Sequence, residues 1–102
     1  MVRRHQLQAE LEELLGSRNV YFQPPESKKL QYDCIIYNRS NIASEKANNK
    51  NYINTDRYDV MFLSRNPDSE IPYKILEHFQ YCTYSRHYVA DNVYHDVFTL
   101  YY

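Results

Sequence analysis

Glycine is almost missing from this chain: Gly16 stands alone among 102 residues, against nine asparagines. One glycine cannot build a Walker phosphate loop or a dinucleotide-binding fingerprint, each of which needs several. Turns that require positive φ therefore fall to Asn and Asp, the next most tolerant residues. Tryptophan is absent, and there are two cysteines, Cys34 and Cys82. With no CxxC and no HxxxH spacing, the sequence offers no zinc signature and calls for no cofactor. Charge of one sign is lacking too: 12 Lys and Arg face 13 Asp and Glu, without the basic excess of a nucleic-acid binder. No run approaches the ~20 apolar residues of a membrane span, and none follows Arg3 and Arg4 as a secretory signal would.

What is abundant is tyrosine, with twelve copies, and a 43% apolar content suited to a globular chain. The length fits one domain over residues 1–102. Each cysteine sits in an apolar, strand-like run, which favours two reduced core thiols of an intracellular protein over a single bridge.

The apolar periodicity predicts seven elements. Leu7, Leu11, Leu14 and Leu15 make one helical stripe, with Glu10, Glu12 and Glu13 off it and Gly16 as the stop. Arg3 and Arg4 oppose the helix dipole, so fraying of the first turn is expected. A short strand at 19–23 is closed by Pro24 and Pro25, and a second follows at 32–37. Residues 39–54 are polar and without periodicity, which reads as a long functional or mobile loop. A third strand at 55–64 precedes a helix opened by Asp68 or Ser69, tolerant of Pro72, and carrying Ile71, Ile75, Leu76 and Phe79. Strands at 81–89 and 93–102 meet at Ala90-Asp91-Asn92, with Asn92 where glycine is usual. The order α-β-β-β-α-β-β implies an α+β fold, a mostly antiparallel sheet of about five strands with two helices on one face.

Such a sheet should alternate apolar and polar residues, yet these strands are apolar or aromatic on both faces. On the fourth strand, Cys82, Tyr84 and Tyr88 are expected to share one face. Two helices of about three turns cannot cover both sides. The uncovered aromatic surface is expected to meet another chain, a role that suits tyrosine.

A catalytic set is hard to assemble. His95 and Asp96 are neighbours on a strand and point to opposite faces; His5 and His87 have no evident partner. A small ribonuclease would have to be built from Arg86, His87, Tyr88 and His95, with little positive charge to hold its substrate. Base stacking on the aromatic strands would need interleaved cations, and Arg86 is alone there.

The runs Asn19-Val20-Tyr21-Phe22-Gln23-Pro24-Pro25, Tyr32-Asp33-Cys34-Ile35-Ile36-Tyr37, Arg57-Tyr58, Ala90-Asp91-Asn92 and His95-Asp96-Val97-Phe98-Thr99-Leu100-Tyr101-Tyr102, taken in order, resemble the small tail-completion proteins of tailed bacteriophages, the tail terminator group of the virion neck. Asp33 departs from that pattern, since many members carry proline there. The resemblance implies a structural virion protein, assembled in the host bacterial cytoplasm, that forms a hexameric ring. The ring caps the last ring of tail-tube protein, stops its polymerisation and offers a surface to the head–tail connector. It implies no enzyme activity, cofactor, metal, membrane or sequence-specific nucleic acid. The candidate subunit or tube contacts are Tyr37, Arg39, Asn48, Asn49, Asn51, Tyr52, Arg57, Tyr84, Tyr88 and Tyr101. The polar 39–54 segment would order on binding as a check against premature capping. Other head–tail connector or stopper proteins share this size and charge. An unrelated adaptor domain and a ribonuclease stand as alternatives of other classes.

Overall fold

The computed structural model describes residues 3–46 and 52–102. Helix α1 (Arg3–Leu15) places Leu7 and Leu11 at i and i+4, and both are fully buried. Burying the two stabilises the fold by roughly 3–6 kcal/mol relative to leaving them in water. The helix ends where expected: Gly16 adopts φ +81 and its N–H reaches the Glu12 carbonyl at 2.9 Å. The arginines at its start lie over aromatic rings. The Arg4 guanidinium lies 4.4 Å from the centre of the Phe22 ring, and that of Arg3 lies 5.4 Å from that of Tyr102.

The strands are β1 (Val20–Phe22), β2 (Cys34–Lys46), β3 (Tyr52–Ser64), β4 (Cys82–Ala90) and β5 (Val93–Tyr101), with α2 (Ile71–His78) between β3 and β4. They form one sheet in the order β1-β2-β3-β5-β4. β1 pairs with β2 in parallel and every other pair is antiparallel, so the α+β expectation holds.

The 39–54 segment is not the expected loop. β2 runs through Lys46 and β3 begins at Tyr52, paired from Cys34↔Leu63 out to Lys46↔Tyr52 with one irregularity between Arg39 and Asn41. Backbone pairing needs no apolar periodicity, so polar side chains concealed this ribbon. The asparagines at 48, 49 and 51 lie outside the described residues.

α1 and α2 cover the inner face of the sheet. There Ile35, Tyr37, Tyr58, Val60, Phe62, Phe98 and Leu100 join Leu7, Leu11 and Ile75 in the main core. The outer face carries a smaller cluster of Cys34, Leu63 and Val93, packed by Tyr21, Leu30, Ile36 and Met61. Both cysteines are free thiols, each pushed up to about 11, mainly by burial. α2 has Glu70 at its N-cap without a side-chain cap; the Ser69 hydroxyl instead accepts from the Ile71 N–H at 3.3 Å.

The β4–β5 hairpin turns on Asp91 and Asn92, both at positive φ, so two Asx residues supply the turn that glycine would. A bulge between Tyr84 and Arg86 reverses the faces of β4. Tyr84 and Tyr88 therefore do not share a face as expected. Tyr84 packs edge-on against core Phe98, with ring centres 5.4 Å apart, whereas Tyr88 stacks on outward-facing His95 at 4.5 Å.

Candidate functional site

Two regions of the molecule remain open. The first is a cleft of about 460 Å³ between α2 and the inner face of the β4–β5 hairpin. Tyr73 and Leu76 of α2, with the loop before it, make one wall; Tyr84, His87, Tyr94 and Asp96 make the other. Within it, Asp96 Oδ1 accepts from the Tyr84 hydroxyl at 2.6 Å and lies 2.8 Å from His87 Nδ1. The Asp96 side chain is only 14% exposed, against 43% for His87. Loss of solvent, then the bond to the Asp96 carboxylate, pushes the Tyr84 phenol up to about 12. His87 also stacks on Tyr94, with ring centres 5.9 Å apart. His87 thus has a partner that adjacency in sequence did not reveal. A two-residue turn at 91–92 pairs residues equidistant from it, which places 87 opposite 96 and 88 opposite 95. That register was available from the turn alone.

The second open region is the outer face and its projecting ribbon. Beyond Asp56, whose carbonyl accepts from the Tyr102 N–H at 3.0 Å, β2 and β3 pair only with each other among the described residues. About four further residue pairs make an arm of roughly 14 Å. The molecule is correspondingly elongated, 49 × 24 × 23 Å. At the root of the arm, the Nε of Arg57 is buried without a hydrogen-bond partner. Tyr101 is 38% exposed and pairs opposite Arg57, while Tyr88 is 36% exposed and lies under the Arg86 guanidinium. Edge strand β4 has one neighbour, β5, and is exposed over almost its whole length.

The expected contact residues divide accordingly. Tyr37 is corrected: it is fully buried, donates to Gln8 Oε1 at 2.5 Å and belongs to the core. Arg39 is exposed, 3.9 Å from Asp56. Tyr52 is placed by its backbone opposite Lys46, on the arm. Arg57, Tyr88 and Tyr101 gather on the outer face, whereas Tyr84 faces the cleft.

The ribonuclease set is divided between the two faces of the sheet, with His87 on the inner face and Arg86, Tyr88 and His95 on the outer. Among the described residues no lysine or arginine lines the cleft. Among the described residues no three His, Cys, Asp or Glu side chains gather to hold a metal, and no helix is long and apolar enough to cross a membrane.

A third cluster escaped sequence reading altogether. Glu10, expected on a solvated helix face, meets His78 Nε2 at 2.7 Å with one oxygen and accepts from the Tyr102 hydroxyl with the other. It ties α1 to the end of α2 and to the residue after β5. Comparison with protein-family models, curated proteins and solved structures found no match for the chain.

Proposed function

We propose that this chain is a structural subunit that closes into a ring with copies of itself, in the manner of the tail terminators its sequence resembles. In this role it caps a phage tail tube, ends tube polymerisation and presents a surface to the head–tail connector. The observation that carries the proposal is the β2–β3 arm. A two-stranded ribbon is marginal alone in water, so an arm continued past the sheet gains most from lying against another chain. A neighbouring copy is the occupant that fits, because each copy supplies an arm, an open β4 edge and an outer face bearing Tyr88 and Tyr101. An arm on one surface meeting a different surface of the next copy is a heterologous contact, which closes into a ring when its rotation divides a full turn. The unpartnered Arg57 Nε at the root of the arm is a donor that such a neighbour could satisfy.

The proposal assigns no bond-making or bond-breaking role. His87 and Asp96 are hydrogen-bonded, but among the described residues no lysine or arginine lines their cleft to hold a phosphate, and the other members of the ribonuclease set lie across the sheet.

Light scattering at several concentrations, with and without tail-tube protein, tests this directly. The expected result is a closed oligomer, six copies by the resemblance, that halts tube growth at substoichiometric amounts. A hairpin shortened by joining Ile42 to Asp56 through Asn-Gly keeps the three-strand register and should remain monomeric. An intact chain that stays monomeric in both settings, leaving tube length unchanged, would overturn the proposal.

A further inference from the structure

We infer that the α2–hairpin cleft is a binding site for the arginine side chain of a partner protein. Three tyrosine rings, Tyr73, Tyr84 and Tyr94, line it together with the Asp96 carboxylate. Aromatic faces around a carboxylate form a cation receptor: the rings attract positive charge and the carboxylate neutralises it. A guanidinium suits both, being flat, weakly hydrated and rich in donors. Asp96 is prepared for this. Its Oδ1 already accepts from Tyr84 and faces His87, which fixes the carboxylate, and its Oδ2 has no hydrogen bond among the described residues. Tyr73 is 68% exposed, so one wall of the receptor is uncovered.

Four of the chain's arginines are engaged elsewhere. Arg3, Arg4, Arg65 and Arg86 each sit over a ring outside the cleft, on Tyr102, Phe22, Tyr32 and Tyr88. The fold thus uses arginine on aromatic rings repeatedly, while among the described residues this cleft receives none from within.

The assignment is separate from ring closure, and the same titration on the shortened hairpin reads it in a monomer. The probe is N-acetyl-arginine methylamide, followed by ¹H–¹⁵N shifts, with the neutral citrulline analogue as control. Saturable shifts at Tyr73, Tyr84, His87, Tyr94 and Asp96 are expected for the arginine probe, with a dissociation constant on the order of millimolar. Asp96→Asn, which preserves shape and one acceptor oxygen but removes the charge and puts an amide donor in the place of Oδ2, should weaken binding on the order of tenfold. Tyr73→Ala, at an exposed position, should weaken it roughly threefold without disturbing the fold. Equal shifts from citrulline, unchanged affinity in Asp96→Asn, or no saturable shifts would each overturn the inference.

Discussion

Glu10 offers the sharpest test of how the two helices are held. Its carboxylate meets His78 on α2 and Tyr102 at the end of the sheet. A hydrogen bond to a charged group contributes about 1.5–3 kcal/mol when sheltered. The side chains of His78 and Glu10 are 42% and 34% exposed, so solvent screening discounts that contact to below about 1 kcal/mol. The phenol contact should keep about 1 kcal/mol. Alanine returns about 0.3 kcal/mol through helix propensity. Glu10→Ala should then cost about 1–1.5 kcal/mol, a fall in melting temperature of about 4–8 °C for a domain of this size. Tyr102→Phe should lose about 1 kcal/mol, and the double variant should fall short of additivity by a similar amount. The pH dependence has a fixed sign. Loss of solvent, then the bond to the Glu10 carboxylate, raises the Tyr102 phenol from its ordinary 10 to about 12. A raised folded-state value stabilises fully below pH 10 and is lost as pH climbs through 12. The gap between wild type and Tyr102→Phe should therefore narrow over that window. Thermal melts by circular dichroism read all of this. Additivity within about 0.3 kcal/mol, or a gap independent of alkaline pH, would refute the bridge.

Three further outcomes follow from other sites. Tyr37→Phe removes a buried hydroxyl bonded to Gln8 and should cost about 1–2 kcal/mol in denaturant melts while leaving self-association unchanged, as befits a core residue. Asn92→Gly, at φ 63, should stabilise the hairpin by about 0.5 kcal/mol, whereas Asn92→Val should destabilise it by more than 1 kcal/mol. Cys34 and Cys82, both raised to about 11, should be about one part in a thousand thiolate at pH 8 and react slowly with disulfide reagents until denaturant exposes them.

The parts of the fold legible in sequence are those where local chemistry and the core agree. The Leu7–Leu11 spacing, the stop at Gly16 and the turn at Asp91-Asn92 each carry their physical reason within a few residues. The β2–β3 arm lacked any such sign, because its strands are joined by backbone pairing, which polar residues make as readily as apolar ones. The bulge on β4 was silent for another reason: one extra residue changes the face of every residue after it without altering composition. Glu10, His78 and Tyr102 meet only once both helices have docked, and no spacing within one element encodes a contact between three.

That bulge also explains how a chain with two short helices divides its aromatic surface. Had β4 paired regularly, His87 would have faced outward with Val97 and Thr99, and Tyr88 inward toward α2. The extra residue turns His87 onto Asp96 and sends Arg86 and Tyr88 to the outer face beside His95. One strand thereby furnishes a carboxylate-bearing cleft on the side the helices cover and an aromatic, cationic surface on the side they leave open. On the two proposals made above, the cleft takes an arginine side chain and the outer face with its arm takes a neighbouring subunit. Substitutions at Asp96 and at Tyr88 should consequently act on different associations, although the two residues lie on adjacent strands one register step apart.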